Sequence, residues 1–401
     1  MMTISAVANL RRVSRFRVRR TVHHLALVIV FTAGFLPAVA ATAASAGTCF
    51  SWTGTQPSSA NSSNSFLADV TVISRCNAWA VGSQQISGTQ LALIEHWNGH
   101  AWAEVPSPAA GASNQLWAVD ALSARDVWAV GTFNNGTADR SLVLRWNGTI
   151  WRKVRSPNPA HATNVVLRGM ESVSANQVWA VGSDKIGSTV KTLAIAWNGR
   201  GWKQVATPSP GGSALLRAVT ATSSSNAWAV GDVAGLTNNR TLILHWNGRA
   251  WKRVASPSPG LDNHLQSVAA TTSANVWAVG SASGANQVLT LTLRWNGKRW
   301  IRVKSPNPDG TGASSNNQLV GLTVLSAKDV WAVGSGSGPK HVSSEPLILR
   351  WNGSRWAGVA SPHLGNESAL IAVSARSADD LWAVGTFNDN AGTHPEAIHC
   401  C

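Results

Sequence analysis

Titratable side chains gather near the end of the sequence, where three histidines and three carboxylates follow one another at loop-like positions. They are His341, His363 and His394, with Glu345, Glu367 and Asp389. Imidazole and carboxylate groups are zinc ligands in proteins. The three histidines are therefore candidate metal ligands if neighbouring loops carry them. Their spacing matches no compact zinc motif, so separate surface histidines are the alternative.

Basic side chains suggest a second site. Arg140, Lys191 and Arg240 recur at equivalent points of three successive repeats, and Trp117 is a tryptophan outside the repeat pattern. A ridge of cations favours an acidic partner. These four residues are the candidate ligand-binding set, with Trp117 as a stacking platform or, alternatively, as ordinary packing.

Several kinds of chemistry are excluded. The sequence has no tyrosine, so it has neither the nucleophile of a sialidase nor tyrosine ligands for a copper oxidase site. It lacks the short motifs of zinc proteases, calcium loops, α/β-hydrolases and P-loops, and no cofactor is predicted. Glu95 replaces an aliphatic residue of the other repeats, which places it at a solvent-exposed edge or makes it an acid with a raised pKa. Two carboxylates could still meet in space, so a glycoside hydrolase or lyase stays open.

Tryptophan reveals the elements that must position these groups. The motif W-A-V-G begins at residues 79, 128, 179, 228, 277, 331 and 382, and W-N-G-x-x-W follows it in six of the seven repeats. Each repeat reads as four short strands, A to D. Asn-Gly between C and D predicts a two-residue hairpin turn with both residues at positive φ. Seven such units predict an all-β fold, a seven-bladed β-propeller of four-stranded antiparallel blades.

The chain ends predict how the ring closes. The seventh repeat stops before strand D, whereas Trp52 precedes the first repeat at the spacing of a strand D tryptophan. The N-terminal strand should therefore complete the C-terminal blade. The four cysteines are Cys49, Cys76, Cys400 and Cys401. An even number in an exported protein favours disulfides, here from Cys49 to Cys400 or Cys401, with Cys76 free to take the other.

The first 46 residues have the pattern of a secretory signal peptide. Six arginines precede an apolar run and a stretch of small residues,. Removing them from the 33 basic residues leaves 27 against 18 acids, a net charge of +9 instead of +15. We expect 1–46 to be cleaved and 47–401 to form one secreted or cell-wall-associated propeller domain without a membrane span.

The combination of W-A-V-G with G-x-x-W resembles the propeller repeats of the photosystem II assembly-factor type, and more distantly the Asp-box repeats of sialidase-like propellers. The resemblance covers residues 50–401 and implies the fold. One departure is consistent, because tryptophan occupies the Asp-box aspartate position. These tryptophans are Trp97, Trp146, Trp197, Trp246, Trp295 and Trp351. No catalytic residue is carried over, since a fold does not imply a function.

Together these features predict a secreted, monomeric, non-enzymatic scaffold. Its loop face would bind an acidic cell-envelope polysaccharide or an extracellular protein, and no motif indicates specific nucleic-acid binding. Basic residues on strand D would discourage edge pairing or form a cationic rim. The alternatives are a lectin, which should repeat one polar set in every blade, and a glycoside hydrolase or lyase with acids at the channel mouth.

Overall fold

Alternating apolar residues followed by turn residues produce strands throughout the chain. The computed structural model describes residues 51–54, 56–57, 64–339, 341 and 343–400, and these contain 28 β-strands. Among these residues no helix is long and apolar enough to cross a bilayer. The proposed signal peptide lies outside the described residues.

The strands fall into seven antiparallel groups of four, six of which are hydrogen-bonded in chain order. Blade 1 contains β2 (Ser65–Ser74), β3 (Asn77–Ile86), β4 (Thr89–Trp97) and β5 (Trp102–Glu104). Blade 2 contains β6 (Ser113–Ser123), β7 (Asp126–Asn134), β8 (Asp139–Trp146) and β9 (Trp151–Lys153). Blade 3 contains β10 (Asn164–Ser174), β11 (Gln177–Ile186), β12 (Thr189–Trp197) and β13 (Trp202–Val205). Blade 4 contains β14 (Ala214–Ser223), β15 (Asn226–Ala234), β16 (Asn239–Trp246) and β17 (Trp251–Val254).

The remaining blades follow the same plan. Blade 5 contains β18 (Asp262–Thr272), β19 (Asn275–Ser283), β20 (Val288–Trp295) and β21 (Trp300–Val303). Blade 6 contains β22 (Asn316–Ser326), β23 (Asp329–Ser337), β24 (Glu345–Trp351) and β25 (Trp356–Val359). Blade 7 contains β26 (Glu367–Ser377), β27 (Asp380–Asp389), β28 (Gly392–Cys400) and the N-terminal β1 (Trp52–Gly54). Blades 5 and 6 share one parallel bridge, between Val288 and Asn316, that the sequence did not predict.

Tryptophan rings hold each blade against the next. The W-A-V-G tryptophan of each blade is buried, and in six blades it packs on both tryptophans of the next blade's strand pair C and D. Trp79 of blade 1, for example, lies 4.9 Å from Trp146 and 5.3 Å from Trp151 of blade 2, between ring centroids. Aromatic pairs at such separations add stability beyond the area they bury. The repeated tryptophans therefore join neighbouring blades.

The pairing of β1 with β28 joins the two ends of the described chain. Trp52 is opposite Cys400, in the register that Trp202 has with Trp197 in blade 3. Trp52 also packs on Trp331 of blade 6, with ring centroids 5.9 Å apart. The prediction that an N-terminal strand completes the last blade is confirmed.

The described residues include two of the four cysteines, Cys76 and Cys400. Cys76 is a free, exposed thiol, so the suggestion that it joins a disulfide is wrong. Cys400 is buried at the end of β28. Cys49 and Cys401 lie outside the described residues, and the bridge from Cys49 to Cys400 or Cys401 stays a prediction.

Two local predictions are corrected by the register. In blade 4, Trp246 pairs with Trp251, and Gly248 has a φ of 89° whereas Asn247 does not have positive φ. The side chain of Asn247 instead accepts hydrogen bonds from the backbone N–H groups of Arg249 and Ala250 in the same turn. The sequence placed Glu95 at a solvent-exposed edge or made it an acid with a raised pKa, and the structure contradicts the exposed edge. Glu95 is opposite Glu104 and fully buried.

Candidate functional site

Every inner strand carries a bulge three or four residues after its start, and the bulged side chains form a ring. In blade 2 the register shifts between Leu116 and Ala118, which leaves Trp117 as the extra residue. A β-bulge re-aims the side chain that it releases from the ladder. The seven bulge residues are Ala68, Trp117, Arg168, Arg217, Gln266, Val320 and Ile371, and all of them line one cavity of about 460 Å³. We call them the bulge ring.

The glycine of W-A-V-G makes room for this bulge. Gly131 is opposite Leu116, next to the bulge. A Cβ on Gly131 would lie 1.9 Å from the carbonyl oxygen of Gln115. No side chain fits there, so the repeated glycine allows the inner strand to approach and to bulge.

The bulge ring is polarised. Arg168 and Arg217 occupy consecutive blades beside Trp117, whereas Val320, Ile371 and Ala68 form the opposite side. The guanidinium of Arg168 lies over the Trp117 ring, 5.1 Å from its centroid. Trp117 also packs against Phe66. One side of the bulge ring is therefore cationic and the other apolar. We call the end of the cavity that the bulge ring lines the mouth.

Of the two arginines, only Arg217 has an ion-pair partner among the described residues. Arg217 donates to Asp232 at 3.0 Å. Arg168 forms no ion pair within the described residues, and its Nε is buried without a hydrogen-bond partner there. Burial and the positive charge of Arg217 lower the pKa of Arg168. The charge of Asp232 acts in the opposite direction and raises the pKa, so Arg168 is a partly buried cation without an ion-pair partner among the described residues.

Asp232 links the cationic side of the mouth to a histidine. Its carboxylate accepts from Arg217 at 3.0 Å, and the Nδ1 of His264 lies 3.1 Å from the same carboxylate. Asp262 contacts the other ring nitrogen of His264. Hydrogen bonding to Asp232 raises the pKa of His264, so this cluster can gain positive charge on mild acidification.

Three carboxyl groups line the cavity further along the same strands. They belong to Asp69, Asp120 and Glu171 on three consecutive blades. Asp69 accepts from the backbone N–H of Val119 in the next blade at 2.9 Å. Asp120 accepts from the N–H of Ser172, also one blade on, at 2.6 Å. The acids therefore connect neighbouring blades as well as lining the cavity.

These carboxyl groups hold protons more tightly than ordinary ones. Burial raises the pKa of Asp69 to about 7, against the opposing effect of two backbone N–H groups. Burial raises the pKa of Asp120 to about 6. Burial, and then the charge of Asp120, raise the pKa of Glu171. At neutral pH the inner cavity carries less negative charge than three free carboxylates would give it.

A groove of about 270 Å³ opens beside the mouth, between blades 1, 2 and 3, and shares Trp117 and Arg168 with the cavity. Amide and hydroxyl side chains dominate its walls. They are Gln90, Ser113, Asn114, Gln115, Asn134 and Asn164. We call this the amide groove. Asp139 orients two of the amides, because it accepts from Asn134 at 2.9 Å and from Asn164 at 2.6 Å.

The predicted basic ridge takes equivalent places in the sheet. Arg140, Lys191 and Arg240 are opposite Phe133, Asp184 and Val233, each five residues after the start of W-A-V-G. Arg140 is partly used internally, since it donates to the carbonyl of Ala162 at 3.0 Å. None of the three lines the cavity of the bulge ring. Their role in binding stays a prediction.

The predicted histidine cluster does not assemble. His341 contacts Asp309 at 2.8 Å, His363 contacts Glu345 at 3.4 Å and His394 contacts Asp389 at 2.9 Å. Each imidazole thus has its own carboxylate. Among the described residues, no group of three His, Cys, Asp or Glu side chains is arranged to hold a metal ion.

Sequence reasoning found Trp117 but missed Arg168, Arg217 and the three acids. A signal was present, because each bulge residue directly follows a fully buried leucine, as Arg168 follows Leu167. Trp117 was predicted as a stacking platform for a ligand or as ordinary packing. In the structure its ring packs against the Arg168 guanidinium.

Comparisons with known proteins agree with this architecture. No protein-family model matches the sequence, and no curated protein matches it. A structure of YCF48 bound to D1 peptide is 12% identical, with a TM-score of 0.55, and the match covers 88% of this chain and all of that one. YCF48 from Cyanidioschyzon merolae is 11% identical, with a TM-score of 0.53 and coverages of 87% and 98%.

An ulvan lyase, a polysaccharide lyase bound to -[GlcA(1-4)Rha3S]-, is 10% identical, with a TM-score of 0.51 and coverages of 83% and 94%. At these identities the similarity concerns the fold alone. The chain is a β-propeller that resembles the YCF48 type.

Proposed function

We propose that this protein is a secreted, non-enzymatic scaffold, a closed ring of seven blades that binds an acidic polymer at the mouth of its cavity. The observation that carries this proposal is the partly buried guanidinium of Arg168, which lies over the Trp117 ring and has no ion-pair partner among the described residues. Burying a charge without a partner is costly. An anionic ligand would supply the missing counter-charge.

Two further features support an acidic partner. The basic residues of the D strands, such as Arg152, Lys252 and Arg302, are exposed on the outer edges of their blades. They add a long-range attraction for polyanions. One structural neighbour was solved with a peptide and another with an acidic saccharide, so propellers of this shape can hold extended chains.

Retention of the purified protein on immobilised polysaccharides tests the proposal. We expect retention on an acidic polymer such as polygalacturonate at low salt, release at high salt, and no retention on a neutral glucan. Salt screens exposed charges over about 10 Å at 0.1 M. Equal retention on both polymers would contradict the proposal, and so would no retention on either.

A second candidate function, glycan cleavage, is favoured by the three cavity acids. A carboxylic acid with a pKa near 7 can act as a general acid at neutral pH, and paired carboxyl groups about 5–10 Å apart serve glycosidases. Incubation with acidic and neutral polysaccharides, followed by a reducing-end assay, tests it. Activity that Asp120→Asn abolishes would support an enzyme over a scaffold.

A further inference from the structure

The amide side chains of the groove and Arg168 form one continuous surface. They line the same 270 Å³ space, and Arg168 also lines the central cavity. The Trp117 ring holds the guanidinium from one side. Because Arg168 occupies a bulge on β10, its backbone is fixed by pairing on both sides of the shift. The cation is therefore positioned before any ligand arrives, and preorganisation limits the entropy lost on binding.

Uncharged donors and acceptors are fixed next to this cation. Asn114 accepts from the N–H of Ala92 through its Oδ1 at 2.7 Å, which leaves its Nδ2 for other bonds. Asn164 donates to Asp139, which leaves its Oδ1. The side chain of Gln115 makes no hydrogen bond within the described part of the chain. The groove thus offers several unused amide atoms, two of them on oriented side chains.

This combination fits one class of ligand better than others. Sugar hydroxyl groups both donate and accept, as amides do, and a carboxylate pairs with a guanidinium through two parallel hydrogen bonds. The groove has few apolar side chains, Phe133 and Val166 besides Trp117, and the ring of Phe133 is covered by the Lys153 ammonium at 3.4 Å. It therefore lacks the apolar pockets that anchor peptide side chains.

We infer that the amide groove is a subsite for a hexuronate residue, with the sugar carboxylate on Arg168 and the sugar hydroxyls on Asn114, Gln115 and Asn164. This inference rests on the proposed binding of an acidic polymer and names its chemistry. The neighbouring sugars of the chain extend from the groove across the bulge ring. The interaction requires a carboxylate beside hydroxyls, and negative charge alone does not satisfy it.

A matched pair of ligands tests the subsite directly. The probes are an oligogalacturonate and its methyl ester, which keeps the shape and removes the charge, and calorimetry measures both affinities. We expect Arg168→Gln to weaken binding of the acid form about tenfold to a hundredfold, as for loss of a charge-assisted hydrogen bond. The methyl ester should bind weakly and equally to both proteins. Arg355→Gln, at an exposed position in the turn between β24 and β25, should change binding less than twofold.

A second variant separates the sugar contacts from the charge. Gln115→Ala should weaken the acid form and the ester by similar factors, and circular dichroism in the tryptophan region checks that each variant is folded. If Arg168→Gln binds the oligogalacturonate as the wild type does, the subsite is wrong, and any retention of acidic polymers arises elsewhere on the protein. If the wild type binds neither polygalacturonate nor its oligomer, the proposed function fails too. Tighter binding of an acidic peptide than of the oligogalacturonate would also overturn the inference.

Discussion

Trp52 lies opposite Cys400, so the last blade takes its outer strand from the beginning of the chain. Cys400 occupies the place where the six other blades have the tryptophan of W-N-G. It is opposite Leu381, whereas in blade 3 the equivalent Val178 is opposite Trp197. The indole of Trp52 is buried and reaches Trp331 of blade 6. The ring is therefore secured at this point by one side chain that touches two blades.

Removing that side chain should weaken the whole molecule. We expect Trp52→Ala to lower the free energy of unfolding by about 3–5 kcal/mol, the usual cost of truncating a buried aromatic residue. Guanidinium denaturation followed by tryptophan fluorescence measures it. Thr53→Ala changes an exposed neighbour in the same strand and should cost less than about 1 kcal/mol. Equal costs would show that β1 contributes no specific packing.

Replacing the glycine of W-A-V-G by alanine should lower the free energy of unfolding more than replacing an exposed glycine on strand D. In Gly131→Ala the new Cβ would collide with the carbonyl of Gln115, so the bulge that carries Trp117 must move. We expect a loss of about 3 kcal/mol or more in unfolding free energy. Gly358→Ala is the control, because a Cβ there meets nothing within 4 Å. A Gly131→Ala protein as stable as the control would disprove the close approach.

Buried Glu396 makes stability depend on pH. It stands opposite Gly385 where blade 3 has Leu193 opposite Gly182. Burial raises its pKa to about 7, although it accepts a hydrogen bond from Ser368. Because the folded state binds the proton more tightly than the unfolded state, its stability contribution is complete below about pH 4.5 and is lost as the pH rises to about 7.

Glu396→Gln tests this dependence. Denaturation between about pH 4 and pH 8 should show a decline in wild-type stability, on the order of 3 kcal/mol from this group, that the variant lacks. The variant should then be the more stable protein at pH 8. Glu367→Gln, at an exposed acid on β26, should keep the wild-type slope. A wild-type profile that rises over this range would contradict the prediction.

Ligand binding should respond to pH through the cavity acids. Asp69 and Asp120, with pKa values of about 7 and about 6, lose negative charge as the pH falls, and His264 gains positive charge. All three changes favour an anion at the mouth. We expect affinity for polygalacturonate to increase from about pH 8 to about pH 5 at constant ionic strength.

Asp120→Asn should reduce this pH dependence without removing it, because the amide oxygen can still accept from Ser172 while the charge is gone. The variant should also bind more tightly than the wild type at pH 8. Affinity that falls on acidification, in a protein that stays folded, would show that the acids do not act on the ligand.

The blades could be predicted from sequence because tryptophan and glycine each satisfy a constraint that repeats with the chain. Trp79 must fill the wedge between blades, and Gly82 must accept a backbone oxygen at close range, so both recur at fixed spacing. The cavity mouth does not repeat. Arg168 and Ala68 occupy the same bulge, and no packing rule selects one over the other.

The bulge also explains why the alternation of side chains along a strand does not predict which residues line the cavity. A residue inserted into the ladder reverses the inward and outward pattern after it, so Arg168 and Glu171 seem to point to opposite sides when the strand is read as regular. Both in fact line the cavity. The acids at Asp120 and Glu171 share the same offset from the buried leucine, and that alignment was the available clue.

The strand that completes blade 7 imposes an order on biosynthesis. Thr53 hydrogen-bonds to His399 across 346 residues of chain, so β1 emerges from the ribosome first and finds its place last. Contacts this distant in sequence are slow to form and leave earlier segments exposed meanwhile. Until residue 400 has been synthesised, Trp52 has no partner strand and blade 6 presents Trp331 uncovered. A nascent chain of this protein therefore leaves that edge exposed until its last strand has been made.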